Sequence, residues 1–354
     1  MIVTSLLNRR RADMDNDSID ISALVEHFEL FNKTEGKSPK TIIWYNMALT
    51  QFQRFLKQSG KSTLLGDLGE TQVREFILFL QEKIKWQDNP YLPKQREKIK
   101  AITIQTYIRA LRGFFNWLFK EGYTGENRLA KLRPPKAPIK VVNTLTQEEI
   151  GKILSSIDQN TVAGVRNYTI LVFLLDTGLR SSELRSFELV DMNIQGGYLK
   201  VMGKGSKERI VPFGTTVQKA ALRYMLHFRP EPFNMTIQKF FLTLDGKPLT
   251  HNSIKMIFER LSSKSGVKRL HPHLCRHTFA TNYLINGGDV FSLQQILGHT
   301  TLEMVRHYVN YAASQTTIQH RKYSPMDRLD ITRPDTSYIK KPSASKYSIK
   351  SFIK

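Results

Sequence analysis

Six residues in the second half of the chain are of the types that handle phosphate esters and protons: Arg180, Lys204, His273, Arg276, His299 and Tyr308. Guanidinium groups grip phosphate oxygens through a planar fork and stay charged. Arg180 follows Gly178 by two residues, near the expected start of a helix, and Glu183 is its i+3 neighbour, placed to orient it. Taken alone, that pair also reads as a surface ion pair. His273 and Arg276 are three residues apart, so one helix face presents both. A histidine neutral at physiological pH can accept a tyrosine's proton, and a tyrosine with an ordinary pKa of about 10 needs such help or a strongly positive site.

Lys204 lies in Gly203-Lys-Gly-Ser-Lys207, a hairpin signature between two strand-like runs. The segment lacks the G-x-x-x-x-G-K-[ST] spacing of a nucleotide phosphate loop, and its glycines also suit a plain turn. Lys207 and Arg209 stand beside it and are read as phosphate contacts. His299 follows Leu297-Gly298, and Thr300-x-x-Glu303 reads as a capping box that opens a new helix. In one unbroken helix His299 and Tyr308 would face opposite sides; the break removes that constraint. A helix-capping role for His299 fits its position equally. Tyr308 and Tyr311 share a face at i and i+3, so by pattern either can be the nucleophile. His271, His273, Cys275 and His277 invite a zinc reading, but thiolate pairs and an acidic third ligand are missing; no metal and no cofactor is expected.

Composition points to the partner. With 53 Lys+Arg against 31 Asp+Glu, the 354 residues carry a formal charge of +22. A compact fold tolerates that self-repulsion best beside a polyanion, and nucleic acid is the leading choice. An anionic membrane competes poorly, because no apolar run nears the roughly 20 residues of a spanning helix. The single cysteine, Cys275, excludes an internal disulfide and reads as a packed core residue. Met1 to Leu7 is apolar but short, with its basic residues on the wrong side for a secretory signal, so a cytoplasmic protein is expected.

The elements that must hold these residues are mostly helical. Residues 1–20 read as a mobile N-terminus. Residues 21–132 read as a four-helix bundle, with apolar stripes Leu24/Phe28/Phe31, Tyr45/Leu49/Phe52/Phe55/Leu56, Val73/Phe76/Ile77/Leu80 and Tyr107/Leu111/Phe114/Phe115/Leu118. Their helical period assigns these aromatics to a core rather than to base stacking. Ser38-Pro39 starts the second helix, Thr103 falls near the start of the fourth, and residues 85–100 form a basic loop. Residues 133–143 are a stiff, proline-rich linker. Thr144-x-x-Gln147 resembles a capping box opening a second domain over residues 144–325. There, Tyr168 to Leu175 is a helix buried on every face, ended by Gly178, and Tyr198 to Met202 pairs with Arg209 to Pro212 as strands. Residues 326–354 are a basic tail.

Five segments in order, Thr177-Gly-Leu-Arg-Ser-Ser-Glu-Leu184, Gly203-Lys-Gly-Ser-Lys-Glu-Arg209, His271-Pro-His-Leu-Cys-Arg-His277, Leu297-Gly-His299 and Tyr308, resemble the tyrosine site-specific recombinase (phage-type integrase) family, nearest its bacterial Xer-type and transposon integrase branches. The resemblance covers residues 144–311 and, in helical pattern and linker alone, the first domain. It implies a mainly α (α+β) fold: a helical, SAM-like core-binding bundle, the linker, and a mostly helical catalytic domain with a small antiparallel sheet, together a C-shaped clamp on DNA. It implies that Tyr308, at the family's interval from His299, attacks a DNA phosphate to give a 3′-phosphotyrosine. Arg180, Arg276 and His299 would then stabilise the transition state, His273 would take the tyrosine proton, and Lys204 would protonate the leaving 5′-oxygen. Strands would exchange and religate without ATP on double-stranded DNA at a specific site, within a tetramer of a protein that can be monomeric in solution. The alternatives are a type IB-like topoisomerase without exchange and a DNA-binding protein that does not cut.

Overall fold

The computed structural model describes residues 16–84, 97–136, 143–203, 208–299, 301–303, 305, 306, 308 and 324. The chain divides near residue 140 into two compact units.

In the first unit, four helices form where the apolar stripes run: α1 (Ile21–Thr34), α2 (Pro39–Gln58), α3 (Glu70–Glu82) and α4 (Ala101–Lys120). Ser38 caps α2 through its side chain, and Pro39 takes the first turn, where a missing N–H costs nothing. The stripes close into one core that includes Leu24, Phe28, Phe52, Phe76, Leu111 and Phe114. Phe28, Phe114 and Trp117 pack against one another inside it, Phe28 edge-on to Phe114 and Phe114 stacked on Trp117, so these aromatics are structural.

Two boundaries differ from expectation. Residues 16–20 are tied into the bundle rather than mobile: the Ile21 N–H donates to the Thr63 carbonyl at 2.9 Å, the Leu65 N–H to the Ile19 carbonyl at 2.9 Å, and Asp20 caps α1. Helix α4 begins at Ala101, two residues before Thr103; residues 97–100 precede it outside any helix, with Lys98 bridged to Ile84, and residues 85–96 of that loop lie outside the described residues.

The second unit follows the order α5 (Gln147–Ser155), α6 (Val162–Thr177), α7 (Ser181–Ser186), β1 (Met192–Asn193), β2 (Tyr198–Met202), β3 (Glu208–Pro212), α8 (Thr215–Arg223), α9 (His251–Ser265), α10 (Pro272–Ile285) and α11 (Val290–Leu297). The cap of α5 is Thr146, not Thr144. Its hydroxyl accepts the Glu149 N–H at 3.1 Å while the Glu149 carboxylate accepts the Thr146 N–H at 2.9 Å. A carboxylate at N3 makes the stronger box, and the Thr144 carbonyl is taken instead by Arg269.

Helix α6 is the buried spine of this unit. Ile170, Leu171, Phe173 and Leu174 are inaccessible or nearly so, and α8 and α10 pack against it. The sheet is antiparallel in the order β1-β2-β3, with Val201 paired to Arg209 and Met202 to Glu208. Lys204 and Lys207, between β2 and β3, lie outside the described residues. Among the described residues, no helix is long and apolar enough to cross a membrane.

Candidate active site

The end of α6 sets the site. Gly178 closes the helix in the left-handed region (φ +62), and a Cβ there would lie 2.4 Å from Phe279 and 2.8 Å from Leu297. Only glycine lets α6, α10 and α11 meet this closely. Arg180 comes two residues later as the N-cap of α7. Its backbone N–H and its Nη1 both donate to the Glu183 carboxylate at 2.8 Å, so the expected i+3 partnership forms. It is no plain surface pair, because Glu183 is 5% exposed. Burial works to raise the Glu183 pKa, but hydrogen bonds from Arg209 and Arg180 and the charge of Arg209 overcome it, and the carboxylate stays ionised.

Helix α10 carries Arg276, which is 3% exposed. Its Nη1 donates to the Gly178 carbonyl at 2.6 Å and its Nη2 to the Leu297 carbonyl at 2.8 Å. It thereby satisfies backbone acceptors at the ends of α6 and α11 that have no intrahelical partner. The same Nη2 lies 2.9 Å from His299 Nε2. A guanidinium can only donate, so Nε2 accepts and the imidazole proton sits on Nδ1, which has no partner among the described residues. Arg180 Nη2 points at the Gly298 carbonyl, 3.4 Å away. Burial lowers the Arg276 pKa to about 10, with Arg180 adding to the effect, which still leaves it charged.

Tyr308 closes the site from the helical residues after His299. It is 9% exposed, with its ring centroid 6.4 Å from that of His299 and nearly parallel to it. Burial raises its pKa, while the charges of Arg276 and Arg180 pull it down. Its other ring neighbour is His277, at 5.5 Å, which in turn lies 6.3 Å from His273. In the sequence His277 enters only as a candidate zinc ligand; its place one residue after Arg276 and four after His273 is the signal for a place beside the tyrosine. All three imidazoles have lowered pKa values, chiefly through burial, then through nearby arginines for His273 and His299 and through the neighbouring histidines for His277, with His299 down to about 4. They are neutral at physiological pH.

Arg180, Arg276, His273, His299 and Tyr308 are thus gathered at one place. Arg209, expected to contact phosphate, is instead turned inward onto Glu183. Tyr311 and Thr300 lie outside the described residues. Cys275 is fully buried in α10, its thiol pushed up to about 12 by burial, and takes no part in this chemistry. A buried phenol beside forked cations and neutral imidazoles suits an enzyme that moves an ester bond of phosphate onto tyrosine and off again.

The Phage integrase family matches residues 143–315, and the Phage integrase SAM-like domain matches residues 22–133. The tyrosine recombinase XerD of Staphylococcus aureus is 30% identical over 308 residues, covering 86% of this chain and 99% of the relative. That of Oceanobacillus iheyensis is 29% identical over 306 residues, covering 86% and 98%. Among solved structures, the Tn1549 transposon integrase in complex with transposon right end DNA aligns with a TM-score of 0.64 at 21% identity, over 82% of this chain and 94% of that one. The XerH site-specific recombinase in its post-cleavage complex aligns at 0.62 and 20% identity, over 84% and 82%. The chain belongs to the phage integrase family and is a tyrosine recombinase, a site-specific recombinase.

Proposed function

We propose that Tyr308 is the nucleophile of this recombinase and that its substrate is double-stranded DNA carrying a defined site. The Tyr308 oxygen attacks a backbone phosphorus, the P–O5′ bond breaks, and the strand remains attached as a 3′-phosphotyrosine. The phenolic proton passes to His273, with His277 beside the ring. The 5′-oxygen takes a proton from Lys204. That assignment rests on the match of Gly203-Lys-Gly-Ser-Lys-Glu-Arg209 to the family's segment. Arg180 and Arg276 hold the non-bridging oxygens, and His299 donates a hydrogen bond to one of them. A 5′-hydroxyl from a second duplex then attacks the phosphotyrosine and frees Tyr308. One ester replaces another at each step, so no ATP is consumed.

One observation carries this reading above the others: Tyr308 stacks beside His299, which Arg276 holds at 2.9 Å. Preorganised donors of this kind are the most effective means of stabilising a phosphorane's added charge. In this reading the first unit supplies further grip on DNA, the enzyme works in the cytoplasm, and exchange takes four protomers on two duplexes.

The test is to mix the purified protein with fragmented genomic DNA in EDTA, quench with detergent, and sequence the protein-linked DNA. Adducts enriched for one sequence, with exchange between plasmids carrying paired copies of it, are the expected result. Adducts without enrichment, together with relaxation of any supercoiled plasmid, would instead make the protein a type IB-like topoisomerase. Tight DNA binding with no adduct would make it a DNA-binding protein that does not cut.

A further inference from the structure

Arg209 lies on β3, in the basic segment Gly203-Lys-Gly-Ser-Lys-Glu-Arg209, where its charge invites a role on DNA. Its side chain is 12% exposed, and each of its three nitrogens donates inside the protein. Nη1 and Nη2 grip the two Glu183 oxygens at 2.9 and 2.8 Å, and Nε donates to the Ile296 carbonyl at 2.9 Å. The guanidinium lies flat against Gly298, where a Cβ would come within 3.0 Å of its Cδ, Nε and Cζ. One planar group therefore joins the carboxylate that holds Arg180 to the end of α11, two residues before Gly298 and three before His299.

Resting on the function proposed above, we propose that Arg209 is a positioning residue. It fixes the plane of the Glu183 carboxylate, and through it Arg180, while anchoring the turn that presents His299; it does not itself touch DNA. The geometry calls for arginine. Glu183 accepts from Arg180 at both oxygens, Nη1 at Oε1 and the backbone N–H at Oε2, and the Arg209 fork meets the same two oxygens from β3; without that fork the carboxylate loses half of its restraints, and Nη1 of Arg180 shifts with it. A lysine keeps the charge but offers its donors from a single point, so it cannot span both carboxylate oxygens and a carbonyl at once. Misplacing a transition-state donor by about 1 Å is enough to cost roughly 100-fold in rate.

The experiment compares full-length wild type, Arg209→Lys, Arg209→Gln and Glu183→Gln on a nicked duplex carrying the sequence recovered from wild-type adducts. Affinity is measured across a salt series, and adduct formation is timed at saturating DNA. The expected result is wild-type affinity and salt slope for both Arg209 variants, with adducts forming about 100-fold more slowly. Arg209→Lys combined with Glu183→Gln should fall short of the product of the single effects, because both act through one linkage. If Arg209→Gln does not fold, Arg209→Lys, which keeps charge and length, carries the test. A wild-type rate for Arg209→Lys overturns the proposal. So does weaker binding with the salt slope reduced by about one, the mark of a lost phosphate contact. No adduct from the wild type itself would sink the function proposed for Tyr308, which keeps the two failures apart.

Discussion

At the residue scale, one buried carboxylate stands among Arg180, Arg209 and Arg276, and that excess of positive charge adds to what burial does to the imidazoles. His273, His277 and His299 are each less basic than an ordinary histidine, through burial first, then through nearby arginines for His273 and His299 and through His273 and His271 for His277. In the unfolded chain they titrate at about pH 6.5. Because their folded values lie lower, the unfolded chain binds more protons through the interval between the two. Stability is therefore complete above about pH 6.5 and drains as the pH falls, for His299 towards about 4. Glu183, whose pKa is lowered against the effect of burial by Arg209 and Arg180, adds a loss at still lower pH. The thermal midpoint of the catalytic unit should fall across this window, and His299→Gln should flatten part of the fall. A midpoint level from neutral pH down to about 4 would contradict this electrostatic account.

The candidate set was legible at this scale because its residue types and intervals are local in sequence: Arg180 with Glu183, and His273 with Arg276. The inward turn of Arg209 was not legible. A charged residue on a short strand reads as exposed, and the partner that buries it lies 26 positions away.

At the element scale, the site exists because α6, α10 and α11 converge on Gly178. Gly178→Ala would force a left-handed alanine and drive its Cβ into Phe279 and Leu297. The conformational penalty of about 1–2 kcal/mol and the overpacking of about 1–3 kcal/mol both apply. Gly266 makes the matching control, since it has φ +74 with open space around its would-be Cβ. Gly266→Ala should cost only the conformational part, about 1–2 kcal/mol. Urea denaturation of the two variants should rank Gly178→Ala as clearly the less stable; equal losses would mean that the packing at Gly178 is not tight.

The long, strongly patterned elements were readable in advance: the four helices of the first unit, α6 with its glycine stop, and the β2–β3 pair. Strand β1 was not, because two residues carry no period. The cap of α5 fell at Thr146 rather than Thr144 because Glu149 supplies a charged acceptor that Gln147 lacks. The bundle also reaches back to residues 16–20, which backbone hydrogen bonds to Ile19 and Ile21 hold in place. Their mixed charges gave no sign of it.

At the scale of the whole molecule, the formal charge of +22 predicts attraction to any duplex, whatever its sequence. Each phosphate neutralised releases counterions, so affinity for random-sequence DNA should drop by about 1000-fold or more between about 50 and 200 mM salt. A flat salt response would mean that this charge is not directed at DNA. Such binding concentrates the protein on DNA but selects no site, and the choice of phosphate is left to base contacts that charge does not encode.

Cutting by Tyr308 is tested by identifying the amino acid that carries the DNA. Adducts formed with genomic DNA would be digested with nuclease and protease, and the nucleotide-bearing peptide mapped by mass spectrometry for the wild type, Tyr308→Phe and Tyr311→Phe. The expected result is a phosphonucleotide on Tyr308, present in Tyr311→Phe and absent from Tyr308→Phe. A nucleotide on Tyr311, or adducts that persist in Tyr308→Phe, would contradict it.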